Sequence, residues 1–269
     1  MHPRVGLHQV AFLGASTTAF VDHCRTIGVQ NITLVTSTLM QPDGVDEARR
    51  ALASGGPRVV AVNHPFATFP DLENDSGEAA ERLLQAIDIA GALGGRYVYL
   101  LTGGRGSLTW EQGAGRFAEL VAPRRAAAAA RGVTLLVENA SPFNADIHMA
   151  HTLADAITLA DIAGIGVCIE LHACWAEAGL RRLIERAMPI TGLIQVSDYV
   201  LGDRCAPCRA VPGDGAIPLE RILGDVLDAG YTGAFDLELV GPRIDAEGAH
   251  AATMRAAENL SRILSRLGA

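Results

Sequence analysis

The chain has 269 residues, 49% of them hydrophobic and 19% charged, with a formal net charge of -8. This composition supplies a large buried core and excludes bulk disorder. The acidic balance argues against a nucleic-acid backbone as principal partner, because phosphate neutralisation needs a basic face. A small anionic substrate stays open, since one or two arginines can capture it locally.

The opening MHPRVGLHQVAF has no long apolar run behind a basic flank, so no signal peptide is expected. No stretch of about 18 apolar residues runs uninterrupted, so no membrane span is expected. Cys24, Cys168, Cys174, Cys205 and Cys208 are scattered and odd in number, which reads as free thiols in a reducing, cytoplasmic setting.

Along the chain, short β-rich runs alternate with longer amphipathic or alanine-rich ones. A strand over Val5–Phe12 precedes a helix over Thr17–Gly28, and Asn31–Thr36 precedes a helix over Val45–Ala53. Strands Arg58–Asn63 and Tyr97–Leu101 lead into long helices over Gly77–Leu93 and Trp110–Arg131. Val133–Glu138 is followed by a helix over Asp155–Ile162, and Ile165–His172 by one over Ala176–Met188. Gly192–Asp198 and Ala234–Leu239 complete the strands, before helices over Pro218–Ala229 and Ala249–Leu267. Runs such as VTLLVE and FDLELV are nearly continuous in apolar character, as parallel strands covered on both faces are. Eight strand–helix units in one composition regime predict a single (β/α)₈ TIM barrel over residues 1–269. No G-x-G-x-x-G follows the first strand, so no nucleotide cofactor is expected.

Barrel active sites lie at the C-terminal ends of the strands. Four successive ends carry ligand-type side chains: Glu138; Glu170 and His172; Gln195 and Asp198; Asp236 and Glu238. Residues two apart share a face of a strand, so Glu170 and His172 are expected to point together, as are Asp236 and Glu238. A carboxylate inside a closed barrel is costly unless paired or bound to metal. His8 and His64 end the first and third strands and are candidates for binding substrate hydroxyls or relaying protons. Arg209 in CRAVPGDG could hold an anionic oxygen bidentately, and Trp175 could wall the pocket. Cys205-Ala-Pro-Cys208 lacks a second pair and reads as incidental, and His148 and His151 read as helix-start or surface residues.

The segments LLVENA, VCIELHACW, IQVSDYVLGD…CRAVPGDGAIP and GYTGAFDLEL resemble the sugar-phosphate isomerase/epimerase superfamily of xylose-isomerase-like barrels, most strongly from Gly132 to Leu239. The resemblance implies one divalent metal on Glu138, His172, Gln195 and Glu238, with Mn²⁺, Zn²⁺ or Co²⁺ favoured and Mg²⁺ admitted. His172 departs from the family's Asp and Gln195 from its His; Gln occurs at that place in 3-dehydroshikimate dehydratases. Glu170 is the alternative to His172 if the strand end is shifted. The function implied is an isomerase or epimerase of a ketose-, sugar-phosphate- or cyclitol-like substrate. Its metal would stabilise an enediolate while Glu138 and Glu238 move the proton. The alternatives are a metal-dependent lyase of the 3-dehydroshikimate or inosose dehydratase type, and a non-catalytic sugar-acid-binding barrel. An endonuclease-IV-like enzyme on this fold fails on charge and on histidine count. The expected partner is a small polyhydroxy carbonyl compound or keto-acid, and barrels of this type often assemble as dimers or tetramers.

Overall fold

The computed structural model of the chain describes residues 1–53, 55–66 and 72–269. Eight parallel strands close in sequence order: β1 (Val5–His8), β2 (Asn31–Val35), β3 (Arg58–Pro65), β4 (Tyr97–Leu101), β5 (Thr134–Glu138), β6 (Gly166–Glu170), β7 (Thr191–Val196) and β8 (Phe235–Leu237). β8 pairs with β1 through Val5 and Phe235, Gly6 and Asp236, and Leu7 and Leu237, which leaves the sheet without an edge. The predicted (β/α)₈ barrel is therefore the observed architecture.

The apolar material divides into two bodies. The larger lies between strands and helices and includes Val5, Leu7, Phe20, Leu83, Phe117, Ile169 and Leu260. The smaller fills the bore with Ala61, Tyr99, Leu136, Cys168 and Leu193, one inward residue from each of β3 to β7. Small residues on neighbouring strands make room for that layer. A Cβ on Gly166 would meet the Ile190 carbonyl oxygen and Leu136 Cδ2, each at 2.6 Å, so only glycine fits there.

Several predicted boundaries shift, each for a local reason. β1 stops at His8, and Gln9–Phe12 turns into a 3₁₀ helix capped by the His8 ring, which accepts the Val10 N–H at 2.9 Å. The helix predicted over Trp110–Arg131 divides into Trp110–Val121, a 3₁₀ turn at Ala122–Arg124 and Arg125–Ala130, because Pro123 lacks the N–H that a continuous helix needs. β6 ends at Glu170, and Leu171–Cys174 forms a short helix. The last change matters most, since it removes His172 from the strand.

Candidate active site at the C-terminal mouth of the barrel

Alternation from the bore-filling layer fixes which side chains rise into the mouth. Two residues beyond Leu136 comes Glu138; two beyond Cys168 comes Glu170; two beyond Leu193 comes Gln195. On β8 the inward pair is Asp236, beside Gln195 in register, and then Glu238. A cavity of about 340 Å³ opens there, within the size range of small-molecule sites. His8, Glu138, Glu170, His172, Trp175, Arg209 and Glu238 all line it, together with Asn63 and Tyr199.

Arg209 is the electrostatic centre. Its Nη2 donates to Glu238 Oε2 at 2.7 Å and stands 3.5 Å from Glu170 Oε2. The guanidinium is only 13% exposed, and its Nε has no hydrogen-bond partner. The loop that carries it is fastened by one carboxylate. Asp198 Oδ1 accepts the N–H groups of Tyr199 and Ile217, and Oδ2 those of Gly213 and Gly215. The P-G-D-G string follows from this cradle, because a side chain on Gly215 would collide with the Asp198 carboxylate. Arg209 N–H also donates to the Val240 carbonyl at 3.1 Å, tying the loop to the end of β8.

The carboxylates differ in environment. Glu138 is 3% exposed, and burial, reinforced by the negative charges of Glu238 and Glu170, pushes its pKa well above the ordinary range. Glu170 is raised to about 7, with burial as the main cause and Arg209 pulling the other way. Its Oε1 accepts the His172 N–H at 3.0 Å and its Oε2 the Ala173 N–H at 2.8 Å, so it caps the short helix that follows. Asn139 clamps the adjacent ends: its amide donates to the Glu170 carbonyl and accepts the Glu170 N–H.

Gln195 does not reach the cavity. It is fully buried below the floor, donating from Nε2 to the Tyr99 hydroxyl at 3.1 Å and accepting the Cys168 thiol on Oε1 at 3.4 Å. The Tyr99 hydroxyl also meets His8 Nε2 at 2.6 Å. Burial lowers the His8 pKa to about 4, and its Nδ1 already accepts the Val10 N–H, so the neutral ring donates from Nε2 to Tyr99. Strands β1, β4, β6 and β7 are thus joined by one chain of hydrogen bonds across the bore.

Of the expected ligands, Glu138, His172 and Glu238 line the cavity and Gln195 does not reach it; with β6 ending at Glu170, the alternative donor Glu170 lines the cavity as well. His172 sits on the helix beyond β6 with its Nδ1 4.0 Å from Glu170 Oε2, and burial lowers its pKa to about 4. Gln195 is committed beneath the floor. Among the described residues no three His, Cys, Asp or Glu side chains are grouped so as to hold a metal ion. The arrangement therefore does not fit a divalent metal on the predicted donors, and Arg209 lies between two of the carboxylates.

Two further expectations are corrected. His64 is buried on the outward side of β3 with its Nδ1 3.1 Å from the Thr36 hydroxyl; the pocket-lining residue is its neighbour Asn63. His148 is not a surface residue: its Nδ1 accepts the Thr102 N–H at 2.9 Å, and its Nε2 donates to the Glu138 carbonyl at 2.8 Å. It steadies the strand end that presents Glu138. Sequence reasoning also missed Tyr99, Asn139 and Tyr199. The Asn directly after a strand-ending Glu was the one available signal for Asn139.

A family profile described as xylose isomerase-like TIM barrel matches residues 21–262. No curated protein matches the chain. Among solved structures, a protein of Sinorhizobium meliloti 1021 superposes with a TM-score of 0.87 at 23% identity, covering 97% of this chain and 98% of that one. An IolI protein with a bound zinc atom gives 0.83 at 16% identity over 98% and 99% of the two chains. An L-ribulose 3-epimerase gives 0.78 at 19% identity over 100% and 96%. These likenesses show the shared fold. The chain belongs to the xylose isomerase-like TIM barrel family.

Proposed function

We propose that this member of the xylose isomerase-like TIM barrel family is a sugar isomerase or epimerase that moves a proton beside a carbonyl group through an enediolate. The substrate is a small polyhydroxy carbonyl compound of the ketose, sugar-phosphate or cyclitol kind. The observation that carries the reading is a carboxylate from β5, Glu138, and one just beyond β8, Glu238, lining one cavity with Arg209 beside them. Neighbours that include an L-ribulose 3-epimerase on the same fold agree with it.

The environments of the two carboxylates suggest a division of labour. Burial and its anionic neighbours raise the Glu138 pKa well above the ordinary range, which suits a proton donor. Glu238 is ion-paired with Arg209 and suits the acceptor. Trp175 and Tyr199 supply a face on which a sugar ring can lie, and His8 reaches the cavity from below. No step is assigned to a divalent metal, because its expected donors do not converge.

Solvent-deuterium exchange tests the proposal directly. A panel of ketoses, ketose phosphates and inososes is incubated with the protein in D₂O, and label next to the carbonyl is read by NMR. Wild type is expected to label at least one of them, and Glu138→Gln to abolish the exchange while folding normally. Full exchange by Glu138→Gln would end the assignment. A new conjugated carbonyl absorbing in the ultraviolet would replace the isomerase with a lyase.

A further inference from the structure

Glu170 and Glu238 at the barrel mouth face a positive charge, and the structure supplies it as Arg209. Arg209 Nη2 contacts Glu238 at 2.7 Å and lies 3.5 Å from Glu170. Both oxygens of Glu170 already accept backbone N–H groups, which turns that carboxylate toward its own helix cap. The Gln195 amide is used at both ends below the floor. A dication placed among these groups would meet like charge from the guanidinium at close range and would lack a converging set of donors.

We propose that Arg209 is the resident cation of this site, standing in the place of a divalent metal, and that its guanidinium, which lines the cavity, is the donor for the oxygen on which negative charge develops. The observation specific to this role is that the guanidinium lines the cavity between Glu238 and Glu170. The loop anchoring makes the donor rigid: Asp198 binds four of its N–H groups, and the Val240 carbonyl beyond β8 accepts the Arg209 backbone N–H. Preorganised donors of this kind stabilise a developing oxyanion without reorganising during the reaction.

The step conserves atoms and charge. The C–H bond next to the carbonyl breaks, its proton passes to a carboxylate, and its electron pair moves through carbon to the carbonyl oxygen. The negative charge that appears there is held by the Arg209 N–H groups. Return of a proton to carbon regenerates the carbonyl.

This inference rests on the proposed proton-transfer function, but its test reads metal binding, which does not depend on that function. Metal-stripped wild type is titrated with Mn²⁺ and separately with Zn²⁺ by calorimetry and equilibrium dialysis. No one-to-one uptake is expected. Arg209→Met, with Arg209→Gln as the second variant should the first misfold, is expected to bind one equivalent about tenfold or more tightly than wild type, because a fixed positive charge has gone from beside the carboxylates. Arg209→Lys keeps the charge and should still exclude the metal. Tight one-to-one binding by wild type overturns the proposal, and so does failure of both neutral variants to gain binding. Deuterium exchange in the presence of EDTA separates the two readings. Exchange that appears only with added Mn²⁺ keeps the isomerase and sinks the role of Arg209. Exchange under no condition sinks the isomerase and leaves the titration to decide on Arg209.

Discussion

The bore of this barrel changes character over a single step along its strands. Leu136 on β5 and Cys168 on β6 belong to a filled apolar layer; two residues further on, Glu138 and Glu170 face an open cavity beside a guanidinium. Strand, direction and neighbours are the same, so the difference lies in what each layer faces. The lower layer faces only its own side chains and must fill space without polar surplus. The upper layer faces a cavity in which a ligand or water can answer charge. Beneath the floor of that cavity runs the Tyr99, Gln195, Cys168 and His8 chain of hydrogen bonds. The lesson is that buried charge sits directly on a close-packed apolar layer.

That contrast can be broken most sharply by exchanging one residue in each layer. Glu138→Gln should cost about 10²–10⁴-fold in proton-exchange rate, without lowering the unfolding midpoint, since burial already favours the neutral side chain. Leu136→Ala should behave in the opposite way, losing about 2–5 kcal/mol of stability in urea unfolding while each folded molecule keeps most of its activity. If Glu138→Gln proved the more destabilising of the two, the division between layers would be wrong.

Asp198 sharpens the comparison from the loop side. Asp198→Ala removes the acceptor for four backbone N–H groups, and stability should fall by about 3 kcal/mol. Slower amide exchange in the loop of the variant than in wild type would contradict the fastening role.

The smallest effect concerns Asp236, the one carboxyl set at the level of the floor. Burial raises its pKa to about 8, with the Thr33 hydroxyl pulling the other way. The folded state holds this proton more tightly than the unfolded chain. The associated stability is therefore complete below the ordinary Asp pKa of 3.8 and is lost as pH rises through about 8. Between pH 6 and 8 the loss should reach up to about 2 kcal/mol, and Asp236→Asn should flatten it. Parallel pH profiles for the two proteins would show that Asp236 does not govern that slope.

Much of the barrel was legible because its signals are local. Apolar strand runs, glycine-ended helices and carboxylates at strand ends can all be read within a few residues of sequence. The site was less so. The strand-three run VVAVNHPF has no polar alternation to mark its inner face, so His64 could not be told from Asn63. Gln195 could not be placed below the floor because its partner Tyr99 lies 96 positions away. The end of β6 lies earlier because Glu170 caps the turn after it, and a carboxylate at a strand end carries no local mark that tells a cap from a site residue.

The thiols offer an unplanned experimental handle. Cys24, Cys168 and Cys174 are buried, and burial pushes all three thiols up, which makes each a poor nucleophile. Cys208 is also buried, whereas Cys205 is exposed on the rim of the cavity, in the loop that delivers Arg209. A maleimide dye should therefore attach at that one place in the unaltered protein, and its emission would report occupancy of the mouth.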